Sequence, residues 1–382
     1  MIINIYGSTG IIGSKTLNIL SKNFPEIKIN LLCANNNYKK LIKQVNLFSP
    51  KYVYLNNQNK IINLKKEINS STKILNFNEM SSYLSSSKSD LSILAISGYK
   101  SLNYFDLIIK NTLSLGLVSK ETIVSAGHLF KTYKKSVINK IYPLDSEHFS
   151  VFKFLKNNKN LDLNSLTLTA SGGPFLGQSY SSLKNVTAKQ AAKHPKWKMG
   201  IKNSIDSATL SNKCLEVIEA HYLFDIPYDK LKILIHPESK IHSIFEYNNY
   251  LYNMIVFQND MTLPIFHYLN ENRGYKLINE KLLFKKNEQF NFREINLKEF
   301  PIYKLFNQID KKDPLNVIKF NVANEYAVNL FQKNSIRYTD IYKIVDKILS
   351  LNLNYKLKNI KDIIKYHEIL ERKIYEKNFK TI

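Results

Sequence analysis

From Met1 to about Tyr142 the chain alternates short apolar runs with stretches whose apolar residues recur at helical intervals. The runs read IINIYG, KINLLCA, YVYL, LSILAISG and SLGLVSKE. Such runs, bounded by turn residues and separated by helices, predict parallel strands joined by crossover connections. From about Pro143 to Tyr268 polar residues gather instead, in LDSEHFS, LTASGGPF, KHPKWKMG, NSIDSATLSNKCLEVIEAHYLF and ILIHPESKIHSI. An Asn- and Lys-rich connection follows, and beyond about Tyr303 the segments NVANEYAVNLFQ and YTDIYKIVDKILSLNL return to helical spacing. The pattern predicts an α/β domain over 1–143, an α+β domain carrying the polar chemistry over 144–270, a linker over 271–300 and a small helical domain over 301–382.

Composition changes this picture little. The 382 residues suffice for two or three cores, and Gly and Pro are too scarce for a low-complexity chain. The formal charge of +24 raises the question of a nucleic-acid or anionic-membrane partner. Only four basic residues are Arg (Arg273, Arg293, Arg337 and Arg372), although Arg is the usual residue for bidentate phosphate and base contacts. Asn, Ile, Lys, Tyr and Phe crowd the whole chain, so the lysines read as a biased, solvated surface, with no nucleic-acid or membrane partner expected. Cys33 and Cys214 are too few for a disulfide framework and fit a reducing compartment, the cytoplasm by default. The N-terminus enters a strand at once without a leader pattern, and no apolar stretch approaches the ~18 residues of a membrane helix.

The first strand runs into Gly7-Ser8-Thr9-Gly10-Ile11-Ile12-Gly13 and then a helical stretch. Glycines there let a backbone pass close to a pyrophosphate, with helix N-terminal amides facing its charge. A strand-to-helix corner needs glycine for backbone reasons too, so the motif alone is ambiguous. At the end of the next strand, where a dinucleotide fold reads the adenosine ribose, Asn35, Asn36 and Asn37 offer no carboxylate, and Lys39 and Lys40 follow. That favours NADP over NAD.

LDSEHFS places Asp145 and Glu147 on either side of Ser146. In an extended segment both carboxylates would face one side and share a hard divalent cation. The same residues also suit a helix N-cap by Asp145 or Ser146. Asn212, Lys213 and Glu216 fall within one helical turn after the hydroxyl-rich SIDSATLS, a set that suits an anionic, hydroxylated ligand or, equally, a solvated helix face. Ser171-Gly172-Gly173 follows an apolar strand and offers amides and a hydroxyl to an anion. His194, Trp197 and Met199 sit on a Pro-interrupted stretch that suits a mobile lid, a buried core Trp being the plainer alternative.

In this order the motifs resemble the 1-deoxy-D-xylulose 5-phosphate reductoisomerase family over nearly the whole chain. GSTGIIG resembles its NADPH turn, LDSEH and LEVIEA its metal sites, SGGPF its phosphate turn, HPKWKMG its flap and NVANEYAV its C-terminal helix. The resemblance implies a Rossmann-like NADPH-binding domain, an α+β catalytic domain with a mobile flap, and a small helical C-terminal domain. It implies that Asp145, Glu147 and Glu216 hold Mg2+ or Mn2+, and that Ser146, Lys120, Ser171, His194, Ser204, Asn212, Lys213 and Glu216 meet a sugar phosphate. Asp145, Glu147, Glu216, Lys213 and His194 would carry catalysis, with Trp197 and Met199 in the flap. Gly7, Ser8, Thr9, Gly10, Ile11, Ile12, Asn35, Asn36, Asn37, Ser119 and Glu121 would meet the cofactor. The implied reaction is an NADPH- and metal-dependent rearrangement and reduction giving 2-C-methyl-D-erythritol 4-phosphate, in a homodimer serving isoprenoid precursor synthesis by the non-mevalonate pathway.

Four places depart from the family pattern. Ile11 replaces Ser, Asn35 to Asn37 replace Gly-Lys-Asn, Ser119 replaces the Asn ahead of Lys120 and Glu121, and Cys214 replaces Gly. Two other readings are a semialdehyde dehydrogenase, which shares the opening glycine turn but requires a reactive Cys, and a basic nucleic-acid-binding protein.

Overall fold

The computed structural model describes residues 1–382 except 69–70, 134, 159–161, 198–199, 272, 277–286, 378 and 380–382. Its strands are β1 (Ile2–Tyr6), β2 (Lys28–Ala34), β3 (Tyr52–Leu55), β4 (Lys73–Leu75), β5 (Ser89–Leu94), β6 (Thr112–Leu117), β7 (Ile141–Pro143), β8 (Leu163–Ala170), β9 (Leu231–Ile235), β10 (Ile241–Tyr247) and β11 (Tyr252–Val256). The helices between β1 and β8 are α1 (Ile11–Asn23), α2 (Tyr38–Phe48), α3 (Ile61–Glu67), α4 (Phe77–Ser86), α5 (Leu102–Lys110), α6 (Lys120–Ala126), α7 (Lys135–Ile138) and α8 (Ser146–Asn157). Those that follow are α9 (Ala188–Ala191), α10 (Ile201–Ala208), α11 (Ser211–Phe224), α12 (Thr262–Leu269), α13 (Pro301–Gln308), α14 (Pro314–Gln332), α15 (Asp340–Leu349) and α16 (Ile360–Glu376). The chain forms two compact units.

The first unit comprises Met1–Thr122, Lys131–Phe149 and Met261–Glu280. Its seven described strands are all parallel, in the order β4-β3-β2-β1-β5-β6-β7. The chain works outward from β1 to β4 and then returns to β5 on the other side of β1. That reversal makes a switch point between β1 and β5, where the ends of the strands leave a crevice for a ligand. All five predicted strands are present, and β4 and β7 join them as three-residue edges too short to show a pattern. Pro143 is tolerated because β7 is an edge strand. From α12, Tyr268 enters this core, its hydroxyl 2.8 Å from the Ser92 carbonyl and 2.9 Å from that of Ser114.

The second unit comprises Ile123–Phe130, Ser150–Asp260 and Lys281–Ile382. Its sheet runs β11-β10-β8-β9, with β8 and β9 parallel and β10 antiparallel to both β8 and β11. The C-terminal helices pack on α10: Asn324 of α14 donates to Asp206 at 2.8 Å, and the Tyr338 hydroxyl donates to the Ala208 carbonyl at 2.9 Å. Lys319 of α14 is buried because its ammonium has carbonyls to meet, those of Leu349 and Leu351 at the end of α15. Cations are favoured at that end of a helix.

Candidate active site

The glycine turn lies at the C-terminal end of β1, at the switch point. The amides of Gly7 and Ser8 donate to the Cys33 carbonyl at 3.0 and 2.9 Å, which fixes the turn against β2. Gly7 has φ +89°, and a Cβ there would stand 2.4 Å from the Ala95 carbonyl oxygen. At Gly13 a Cβ would stand 2.4 Å from the Gly7 carbonyl oxygen, so α1 can lie on the turn only without a side chain. These two glycines answer to packing. Gly10 differs, since a Cβ would meet only the Gly7 carbonyl, at 3.3 Å, and the space beyond it is open. As the N-cap of α1, Gly10 contributes no side-chain cap, and the first turn of α1 carries no acid. A helix start with no side-chain cap, an open approach and no negative charge fits a pyrophosphate.

A residue that sequence reasoning missed holds this turn. Gln44 of α2 accepts from the Ser8 hydroxyl at 2.9 Å and donates to the Ser8 carbonyl at 2.8 Å, with both residues buried. Gln44 also belongs to the buried face of α2 with Leu41, Ile42 and Val45, and only that position hints at its role.

Also in the first unit, the LDSEH segment is not extended. Asp145 caps α8: its Oδ1 accepts from the amide of Glu147 at 3.1 Å, and Glu147 already stands in the first turn. The capping alternative is therefore realised, and it leaves Asp145 Oδ2 to accept from the ammonium of Lys120, at the start of α6. Ser146 donates to Glu147. Ser119 and Glu121 are buried, with the Ser119 hydroxyl 3.1 Å from that of Ser101 and 3.4 Å from Glu121 Oε2.

In the second unit, Ser171 follows β8, and Gly172 and Gly173 take φ +81° and +72°. His194 fixes the proton roles around Ser171. Its Nδ1 accepts from the amides of Lys196 at 3.1 Å and Trp197 at 2.9 Å, so the ring proton sits on Nε2. Nε2 lies 2.8 Å from Ser171 Oγ and 3.1 Å from Ser207 Oγ. Ser171 Oγ also accepts from the Gly173 amide at 3.1 Å. With both lone pairs engaged, the Ser171 hydroxyl can act only as a donor, with Ser207 Oγ 3.4 Å away. Burial, and after it the Lys213 ammonium, pushes His194 down to about 4, which keeps the ring neutral.

Lys213 and Glu216 are almost fully buried on α11, and Asn212 and Lys213 each donate to one Glu216 oxygen. The expected cluster on one helical turn is present. The buried Ser204 hydroxyl donates to the Gly200 carbonyl at 3.2 Å. Trp197 is half-buried and meets His242 edge-on at 6.1 Å, while Met199 lies outside the described residues.

Family models of 1-deoxy-D-xylulose 5-phosphate reductoisomerase match residues 3–127, those of its C-terminal domain match 141–224, and a further model of the DXP reductoisomerase C-terminal domain matches 257–373. The reductoisomerase of Pelagibacter ubique is 39% identical over 94% of this chain and 93% of that protein. That of Clostridium tetani is 36% identical over 98% of each. The chain belongs to the 1-deoxy-D-xylulose 5-phosphate reductoisomerase family.

Among solved structures, the Zymomonas mobilis reductoisomerase in complex with NADPH superposes with a TM-score of 0.85 at 29% identity, over 100% of this chain and 99% of that one. A DOX-P reductoisomerase in complex with NADPH, fosmidomycin and magnesium gives 0.87 at 28% identity, over 100% and 98%. Against this reductoisomerase background three of the four departures are mild in structural terms. Ile11 points its side chain outward, 57% exposed, while its backbone opens α1. Ser119 is absorbed by Ser101, and Cys214 is completely buried on α11. Burial raises the thiols of both Cys33 and Cys214, so neither is the nucleophile that a semialdehyde dehydrogenase requires. The reductoisomerase family membership replaces that reading.

Proposed function

We propose that this chain converts 1-deoxy-D-xylulose 5-phosphate to 2-C-methyl-D-erythritol 4-phosphate with NADPH and Mg2+ or Mn2+. The carrying observation is the buried cluster on α11, where Asn212 and Lys213 each donate to one oxygen of Glu216. A buried carboxylate held by an ammonium and an amide supplies charge and donors for an anionic, hydroxylated ligand, and the Ser171 turn of the same unit supplies a hydroxyl. Ser171 donates its hydroxyl proton to the substrate phosphate, and Lys213 with Asn212 and Ser204 meets the phosphate and hydroxyls.

Asp145, Glu147 and Glu216 would hold the divalent cation, an all-oxygen donor set of the kind hard cations take. The turn from Gly7 to Ile12 would hold the NADPH pyrophosphate. The cation supplies charge withdrawal during the rearrangement of the carbon skeleton, and NADPH supplies the hydride that reduces the resulting aldehyde. Ser146 and Lys120 orient the carboxylates, while Ser119 and Glu121 support the nicotinamide side of the cofactor site. His194 and Trp197 belong to a flap that closes over substrate and excludes water, with phosphate binding driving the closure.

The roles of the parts follow from this reading, with cofactor binding in 1–143, catalysis in 144–270, a linker in 271–300 and helical support from 301–382. A homodimer is part of the proposal. Tyr252 and Met254 of β11 stand exposed beside Tyr250 and Leu251, apolar surface that a second copy would cover. Cytoplasmic residence fits the two buried free thiols. No helix among the described residues is long and apolar enough to cross a membrane.

The test follows NADPH absorbance with 1-deoxy-D-xylulose 5-phosphate and Mn2+, then repeats it with EDTA and with Glu216→Gln. Turnover should fall by roughly 10²–10³-fold in both controls, the scale expected on removing a charge stabiliser. Undiminished turnover in either control would overturn the metal assignment.

A further inference from the structure

The loop that follows β2 is built from three asparagines, and its hydrogen bonds show which way their amides face. Asn35 Oδ1 accepts from Asn56 Nδ2 at 2.9 Å, and Asn36 Oδ1 accepts from Asn57 Nδ2 at 2.7 Å. The main chain repeats the pairing, with the Asn56 amide on the Ala34 carbonyl and the Asn57 amide on the Asn35 carbonyl, both at 2.9 Å. Asn56 is itself fixed by the Tyr54 hydroxyl at 3.0 Å. Asn37 Oδ1 accepts from the Lys40 amide at 3.1 Å as the cap of α2. Each of these side-chain oxygens thus meets a neighbouring amide, and the exposed Asn35 and Asn36 keep their side-chain NH2 groups as donors for a ligand.

A loop of neutral amides with no carboxylate at this place in a dinucleotide fold lacks the acid that pairs with the ribose hydroxyls of NAD and does not repel the 2′-phosphate of NADP. It lacks a cation of its own, since Asn36 stands where the family pattern has Lys. The structure brings one from the neighbouring loop after β3. Lys60 Nζ donates to the Asn36 carbonyl at 3.4 Å and lies over the Tyr38 ring at 5.5 Å from its centroid. The aliphatic stem of Lys60 is partly covered, and its ammonium is held at the loop that reads the ribose. We propose that Lys60 supplies the positive charge that recognises the 2′-phosphate of NADPH, in place of the missing loop cation. The inference rests on the reading of the glycine turn as the NADPH site. Lys39, exposed on the first turn of α2, is the natural comparison residue.

Isothermal titration of NADPH and NADH into the wild-type protein, Lys60→Met, Lys60→Arg and Lys39→Met separates the possibilities without reference to turnover. Lys60→Met should weaken NADPH about 10- to 100-fold, the scale of a hydrogen bond to a charged group. It should leave NADH within about twofold, and Lys60→Arg should restore NADPH binding because the charge is kept. Lys39→Met should change NADPH by less than about threefold, as an exposed charge does. An unchanged NADPH-to-NADH ratio in Lys60→Met, or a larger loss in Lys39→Met, would overturn the role of Lys60 and leave the dinucleotide site standing. Folded wild-type protein that binds neither nucleotide would overturn the site and this inference together.

Discussion

The two turns proposed to hold phosphate are built from different parts. The turn from Gly7 to Gly13 offers backbone amides and keeps side chains away, with Gln44 gripping Ser8 from behind. The turn at Ser171 offers a side-chain hydroxyl whose proton is directed by His194 and the Gly173 amide. Backbone amides are supplied by every residue but proline, so the first turn tolerates a change of side chain wherever the backbone path survives. The second depends on the chemical identity of single side chains. Ile11, exposed and opening α1 with its backbone, fits the first kind of turn, whereas Ser171 and His194 contribute through their side chains.

The largest effect should come from breaking the backbone path of the first turn. Gly7→Ala forces a side chain into φ +89° and against the Ala95 carbonyl. It should destabilise the first unit by about 3 kcal/mol or more, read by denaturant unfolding, with NADPH binding lost. Next, Ser171→Ala should lower kcat/KM for the sugar phosphate by about 10- to 100-fold while leaving the Kd for NADPH unchanged. A parallel loss of NADPH affinity would mean that the two turns are not independent.

A smaller effect concerns pH. His194 is held at about 4, below its ordinary value of 6.5, so between these values the unfolded chain binds a proton that the folded chain refuses. Stability from this group is present above about 6.5 and is lost as the pH falls toward 4. Over that window the unfolding free energy of His194→Asn should depend less steeply on pH than that of the wild type. The smallest effect should be Ile11→Ser, which restores a hydroxyl without moving the backbone and should change the Kd for NADPH by less than about threefold. A larger change would show that the first turn also reads side chains.

Much of the site was legible in the sequence because its chemistry is written locally. Ser171-Gly172-Gly173 follows a strand, and Asn212, Lys213 and Glu216 share a helical turn, as their spacing implies. The LDSEH segment was legible only in part. Its two carboxylates suggest an extended ligand pair, yet Asp145 is a cap and Glu147 helical, since a cap residue competes for the same atoms and local spacing does not choose between the two. Gln44 and Lys60 were not legible at all. Gln44 reaches a residue 36 positions away and Lys60 one 24 positions away, and a polar residue on a helix or loop carries no sign of so distant a partner.

By itself the sequence determined the alternation of strands and helices, the places of the glycine turns and the residue types of the site, because these depend on periodicity, backbone freedom and donor chemistry within a few residues. Only the tertiary structure decided the order of strands that sets the switch point beside β1 and the return of Tyr268 to the first sheet. It also decided that the side chains of Asn35 and Asn36 pair with Asn56 and Asn57. Each of these depends on contacts between segments far apart in the chain, where the pairing of strands and the satisfaction of buried polar groups are settled jointly.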